Sequence, residues 1–298
     1  MKFAANTTLD QFLNSLFQRY MDNVPDVQKI TNAMINNGIV QSQQDIINDH
    51  IAFRTLGVPH LGIASLEKIF LHHGYSKKDY YYFEGKKLDA WWYAPPAPEY
   101  PRIFVSELRV KDLSPEVQAI IHRYTDPVQA DPVDALDLND GAAIGEFLHR
   151  QLWQTPTQKD YADLLGESEY AAWVIYNRYY LNHYTISVHN LKEGYNTLDH
   201  FNGFLESIGI QLNSSGGKIK VSADGLLLQS STVAPMNEVT FADGVTMAIA
   251  GSYVEFAERK LLSQDAGVAG GQERRDGFEA NNADKIFEST YTDQTNRS

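Results

Sequence analysis

The sequence predicts an α+β fold in which two βαβββ modules form curved mixed sheets around a shared metal cavity, with a helical prelude before the first module and a helical insert between them. Three observations lead there. NDHIAFRTLG (48–57) and NHYTISVHNL (182–191) are strand-like runs that open on asparagine and carry histidine on an alternating face. Each is followed by a segment of helical period and then by three further strand-like runs, a repeat of roughly 60 to 75 residues. Between residues 113 and 180 helical periodicity replaces strand alternation.

The elements follow in order. Leu9, Phe12, Leu13, Leu16, Phe17 and Tyr20 recur at helical spacing, and Val24, Pro25, Val27, Ile30, Met34 and Ile35 carry a second segment, so residues 8–35 form the prelude. Asn36, Asn37 and Gly38 break it. His50 to Leu56 is the first strand. Gly62 to His73 is a helix with Ile63, Leu66, Ile69 and Phe70 as its apolar stripe and Gly74 suited to its C-cap. Aromatic-rich strands over 79–83 and 88–93 form a hairpin, a proline-rich loop follows, and RIFVSELRV (102–110) closes the module. In the insert, Ser114 and Pro115 start one helix, 141–152 forms another, and a third runs from about Ala162 to Tyr180. The second module repeats the order: strand 182–191, helix 198–208, then strands 218–222, 226–233 and 246–258. Asn48 to Glu107 and Asn182 to Glu255 mark the two copies. Beyond Lys260 periodicity is lost among Gly267, Gly270, Gly271 and Gly277, which predicts a loosely held tail. The expected divisions are 1–112, 113–180, 181–260 and 261–298, packed as one catalytic unit.

Composition narrows the chemistry. The chain of 298 residues carries 38 acidic against 25 basic side chains, a formal charge of -13, which argues against non-specific nucleic-acid binding. It has no cysteine, so disulfides, thiolate catalysis and Cys-ligated metals are excluded and any metal must be held by His, Asp, Glu and water. The N-terminal stretch lacks a continuous apolar core and no apolar run of about 18 residues appears later. Neither a signal peptide nor a membrane span is expected, and a cytoplasmic location is the default expectation.

If the modules pack around one cavity, the opening strands bring His50 and His183 together and the closing strand brings Glu255. Two imidazoles and a carboxylate leave open positions on an octahedral iron, suited to a chelating 2-oxo acid and O2. The same set also suits zinc or manganese, which leaves open a lyase, isomerase or hydrolase of this fold, or a small-acid binding protein that keeps the pocket. His189 lies six residues beyond His183, ~20 Å along a strand, and cannot share its ion. Only one of Glu255 and Glu258 can enter the cavity, and Arg259, on the Glu255 face, either orients that carboxylate or pairs with it at the rim. Arg54 shares the His50 face ~13 Å further along, placed to clamp the distal carboxylate of a substrate whose other end reaches the metal. Gln229 and Ser231 offer neutral hydrogen bonds, and Glu107 and Arg109 are candidates to line the pocket.

At DHIAFRT, FVSELRV, NHYTISV, LLQSSTVA and GSYVEFAER the chain resembles the 2-oxoadipate dioxygenase/decarboxylase family, related to the vicinal oxygen chelate superfamily, over about residues 8–260. The resemblance implies paired βαβββ modules around Fe(II) held by His50, His183 and Glu255, with no organic cofactor. It assigns Arg54 to the distal substrate carboxylate and Gln229 to a polar pocket position. The implied reaction takes 2-oxoadipate, or a similar 2-oxo diacid, and O2 to 2-hydroxyglutarate and CO2, a step of lysine catabolism. The partners it implies are that acid and O2, with no nucleic acid and no membrane. The chain is shorter than the longer bacterial members, with a compact helical insert, which bears on the length of the acid more than on the metal.

Overall fold

The computed structural model describes residues 3–262 and 273–296. Helix α1 (Thr8–Asn23) opens on a reciprocal cap, the Thr7 hydroxyl accepting from the Asp10 amide and the Asp10 carboxylate from the Thr7 amide. Pro25, with no amide to satisfy, begins α2 (Pro25–Asn36). The first module follows as β1 (Asn48–Leu56), α3 (Ile63–His72), β2 (Ser76–Phe83), β3 (Leu88–Ala94) and β4 (Arg102–Leu108). The insert comprises α4 (Pro115–Thr125), α5 (Gly141–Phe147), α6 (Gln158–Glu167) and α7 (Glu169–Asn177). The helix expected over 162–180 is thus two. Ser168 is extended and its hydroxyl accepts from the Ala171 amide, so one helix ends where the next is capped.

The second module contains β5 (His183–Ser187), α8 (Leu198–Ser207), β6 (Lys220–Val221), β7 (Leu227–Ser231), β8 (Met236–Thr240), β9 (Thr246–Ala250) and β10 (Tyr253–Arg259). It differs from the expectation in one hairpin. The run expected as a single strand over 246–258 breaks at Gly251, whose amide donates to the Pro235 carbonyl and where a Cβ would lie 2.4 Å from Asn237 Nδ2. Strands β8 and β9 therefore pair only with each other.

The remaining strands form one eight-stranded sheet, ordered β2-β3-β4-β1-β5-β10-β7-β6. β1 runs parallel to β4, β5 parallel to β10, and the central β1–β5 pair is antiparallel, so the modules meet edge to edge about a local two-fold. The register defines the repeat. Ala52 faces Phe104 across β1–β4 as Thr185 faces Glu255 across β5–β10. This corrects the pairing of Glu107 with Glu255. The counterpart of Glu107 is Glu258: each accepts from the first amide of its module's helix, Ile63 and Leu198 respectively. The counterpart of Glu255 is Phe104.

One face of the sheet packs on the prelude and module helices. Phe53 packs at a tilt against Phe70 of α3, and Tyr184 tilted against Phe17 and edge-on against Tyr20 of α1. The prelude is part of the core, since Phe12, Leu13, Leu16 and Ile30 are fully buried and each contributes roughly 1.5–3 kcal/mol of burial. The opposite face, with His50, Arg54, His183 and Glu255, is covered by α7 and the C-terminal segment. That segment corrects the expectation of a loose tail: residues 273–296 include α9 (Ala280–Phe287) and α10 (Thr292–Thr295), and Phe278, Ile286 and Phe287 are buried. Gly267, Gly270 and Gly271 lie outside the described residues. Among the described residues no helix is long and apolar enough to cross a membrane.

Candidate metal centre and acid pocket

Three adjacent strands build the centre. β1, β5 and β10 each send alternate residues to the covered face, and the register sets Ala52 beside His183 beside Tyr253, with Thr185 beside Glu255 in the neighbouring row. His50, next along β1 from Ala52 on the same face, meets the Thr185 hydroxyl at 3.0 Å through Nε2. The Glu255 carboxylate lies between the imidazoles, Oε1 3.4 Å from His50 Nε2 and Oε2 3.0 Å from His183 Nε2. One ligand atom from each residue falls within 4.8 Å of the others, and all three side chains are buried. The rings stand edge-on with centroids 5.5 Å apart.

The outer nitrogens of both histidines are already committed. His50 Nδ1 lies 2.8 Å from Asp49 Oδ1 and His183 Nδ1 lies 3.0 Å from Asn182 Oδ1. Both partners are acceptors, so each Nδ1 carries the proton and each Nε2 presents its lone pair inward, the tautomer a metal needs. His183 Nε2 forms no well-aligned hydrogen bond, the condition expected of a ligand atom. Asp49 is fixed in turn by Arg259, whose Nε and Nη2 donate to its two oxygens at 2.6 and 2.8 Å. Alternation would send Asp49 to the other face. The β1–β5 register slips between Asn48 and Ile51, and that irregularity lets it reach the ring.

The electrostatics are those of a cation site. Burial pushes the Glu255 carboxyl up, but the two imidazoles outweigh it and hold it well below the usual carboxylate range. Asp49 is likewise lowered despite burial, by Arg259 and Arg102 and by its bond to His50. Burial lowers His183, and Glu255 only partly offsets it. Burial also opposes the His50 imidazolium, but Glu255 and Asp49 together raise it. Two imidazoles and one carboxylate in a buried pocket fit a divalent cation, which would take the place of the proton that Glu255 and Asp49 favour on His50. Phe104, standing where the repeat would place a second glutamate, supplies no donor, so the protein offers three ligands on one side and leaves the other open.

The other expected site residues fall into two groups. Arg54 is fully buried on the same face, its guanidinium 5.1 Å from the centre of the Tyr170 ring and 5.2 Å from that of Trp173. Its Nη1 donates to Thr290 Oγ1 at 2.9 Å and its Nη2 to the Phe287 carbonyl at 3.0 Å, while Nε has no partner among the described residues. Gln229 reaches the centre as a neighbour of the carboxylate: Nε2 donates to Glu255 Oε1 at 2.7 Å, and its Oε1 accepts from Asn282 Nδ2 of α9 at 3.0 Å. Ser231 bonds Ser289 Oγ at 2.8 Å.

Glu107 and Arg109 do not join them. Glu107 caps α3, and Arg109 pairs with Asp89 and Asp112 over the Tyr82 ring. Arg259 holds Asp49 instead of Glu255. His189 accepts from the Arg259 amide through Nδ1, and burial holds it down to about 4, so it stays neutral there. Sequence reasoning missed Asp49, Asn182 and Asn282. The first two carry a signal, since each directly precedes a histidine; Asn282 carries none.

Two βαβββ modules joined edge to edge, with a His, His, Glu set on adjacent strands of the shared sheet, define an α+β protein of paired modules with a candidate metal centre at their seam. A family model for 2-oxoadipate dioxygenase/decarboxylase matches residues 12–270, and the chain belongs to that family. It is 42% identical to the chloroplastic 2-oxoadipate dioxygenase/decarboxylase of Arabidopsis thaliana, over 99% of this chain and 81% of the relative. It is 45% identical to the chloroplastic/amyloplastic protein of Oryza sativa subsp. japonica, over 85% and 71%. The Oryza sativa hydroxyglutarate synthase, solved in complex with 2-oxoadipate, superposes with a TM-score of 0.86 at 40% identity, covering 96% of this chain and 93% of that one. The plant relatives overturn the cytoplasmic default: both are named as plastid proteins, chloroplastic in one case and chloroplastic/amyloplastic in the other.

Proposed function

We propose that this chain is an Fe(II)-dependent dioxygenase that converts 2-oxoadipate and O2 to 2-hydroxyglutarate and CO2, with His50, His183 and Glu255 as the metal ligands. The observation that carries the reading is a buried three-ligand set sharing one sheet face with a buried arginine that has no carboxylate partner among the described residues. Held there, Fe(II) supplies chelation of the 2-oxo acid and the redox chemistry with O2.

The chain's own residues do the rest. Asp49 and Asn182 hold both imidazoles in the ligating tautomer. Gln229, locked by Asn282, sets the direction of the Glu255 carboxylate. Arg54 receives the distal carboxylate, which fixes the substrate end to end and selects diacids. Phe104, Phe278, Ile286 and Phe287 wall the centre from bulk water.

Metal analysis of freshly purified protein, with an O2 electrode and a series of 2-oxo diacids, tests the reading. Iron should co-purify, 2-oxoadipate should drive O2 uptake, and His183→Ala should abolish it. Full turnover in that variant, or turnover without O2, would sink the assignment.

A further inference from the structure

Arg54 Nε is one of several buried donors around the centre that no described residue satisfies, with Asn48 Nδ2 and Asn182 Nδ2. Another is the hydroxyl of Tyr253, which is fully buried and has no hydrogen-bond partner among the described residues. A buried hydroxyl of this kind is costly, and its persistence asks for a ligand that completes it.

Position supplies the ligand. Tyr253 lies two residues before Glu255 on β10 and therefore on the same face. Its row, Ala52–His183–Tyr253, lies between the row of Thr185 and Glu255 and the level of Arg54, the next residue after Ala52 on this face of β1. The small Ala52 side chain leaves the span from His50 to Arg54 free of bulk on β1. The Tyr253 ring packs against the His183 imidazole with centroids 4.8 Å apart, which holds the phenol over the space between the two ends of the site. Burial pushes the Tyr253 phenol well above its ordinary range and keeps it protonated as a donor; the Arg54 guanidinium beside the hydroxyl only partly offsets this, and no well-aligned hydrogen bond joins them.

We propose that Tyr253 is a further specificity-determining residue: its hydroxyl donates to the distal carboxylate of the substrate alongside Arg54, so that the acid is read by two donors on separate strands. The inference rests on the proposed 2-oxo diacid activity. A carboxylate accepts from both groups at once and leaves neither orphaned. A methyl group at the same place leaves both unpaired, so the second donor sharpens discrimination against a monoacid of equal length.

The test is Tyr253→Phe, which removes one oxygen and keeps the ring on His183. Because the hydroxyl has no partner in the free protein, the variant should melt at the same temperature as the wild type or above it. In anaerobic calorimetry with the iron-loaded protein, its Kd for 2-oxoadipate should rise about tenfold or more. Its Kd for 2-oxohexanoate, which lacks the distal carboxylate, should stay unchanged. In the O2 assay the loss should appear in KM, with kcat nearly kept.

Unchanged 2-oxoadipate binding overturns the proposal, as does an equal loss for both acids, which would put the hydroxyl at the metal end. A markedly lower melting temperature would also overturn it, by showing that the hydroxyl serves the fold. If the wild type binds 2-oxoadipate without turning it over, the proposed reaction falls while the binding ratio still decides the role of Tyr253. If it does not bind the acid, both fall.

Discussion

The two histidines of the centre are held by unlike neighbours, and the difference has a measurable consequence. His50 leans on a carboxylate, Asp49, that is itself clamped by a fully buried arginine; His183 leans on the neutral amide of Asn182. Exchanging Asp49 for Asn weakens the support of His50 and strands the Arg259 charge, so it should cost the fold about 3–5 kcal/mol and lower metal affinity by roughly tenfold or more. Asn182→Ala removes one acceptor and strands no charge, so its cost to the fold should be nearer 1–2 kcal/mol. Urea unfolding and competitive metal titration of both variants check the asymmetry, and equal losses would contradict it.

Arg54 offers a second test at this scale. Arg54→Lys keeps the positive charge and loses the planar fork, and should reduce kcat/KM for 2-oxoadipate on the order of tenfold while barely changing the binding of a monoacid. Uniform loss for both acids would mean that Arg54 serves only as packing between Tyr170 and Trp173.

At the scale of elements, the C-terminal segment is the part most tightly tied to access. Arg54 holds it at Phe287 and Thr290, Asn213 holds Ser289, and Glu169 accepts from the Thr292 amide. The cavity it closes over the ligand set measures about 20 Å³, room on the order of one water and far short of a dicarboxylic acid. The segment must give way for substrate to enter, and Arg54 must exchange some of these bonds for the incoming carboxylate. Amide exchange over 280–296 should therefore be faster than over β1, β5 and β10, and should slow when a diacid is added. Protection equal to that of the central strands with no ligand present would count against entry by this route.

The same segment shows where the sequence stops being readable. The period-2 alternation of NDHIAFRTLG set His50 and Arg54 on one face, and YVEFAER placed Glu255 opposite Val254 and Phe256, because a strand buried against a core must alternate. The C-terminal segment has no such internal constraint. Phe278, Ile286 and Phe287 are too sparse among Gly, Asp and Asn to announce a helix, and they are ordered by a hydrophobic wall that Phe104 and other residues far away in sequence provide. Asn282 is beyond reach for the same reason, since its role depends on Gln229 being 53 residues away in sequence and 3.0 Å away in space. Gly251 was legible only as a glycine; its close approach to Asn237 is a tertiary fact.

For the whole molecule, the local two-fold places the proposed metal site on the seam between the modules. One candidate ligand, His50, comes from the first module, and two, His183 and Glu255, come from the second, with the antiparallel β1–β5 pair beneath them. A cation bound there cross-links both halves of a single sheet, and it also relieves the burial of Glu255, whose carboxylate otherwise has, among the described residues, His50, His183 and the Gln229 amide as hydrogen-bond or ion-pair partners. Binding to the folded state alone stabilises it by RT ln(1 + [M]/Kd), about 2.7 kcal/mol when the free metal stands at a hundred times its Kd. For a chain of this size that is a shift on the order of 5 °C in Tm. Because the sheet is continuous, the shift should appear in one cooperative transition, with both modules moving together, when iron is removed by chelation and restored anaerobically. Two transitions, with only the second module responding to metal, would show that the seam is a contact between independent domains and that His50 adds little to the affinity. His50→Ala settles which holds: if the ion bridges the modules, it should erase most of the metal-dependent shift, measured against the variant's own metal-free melting temperature, which the loss of a buried imidazole lowers by itself.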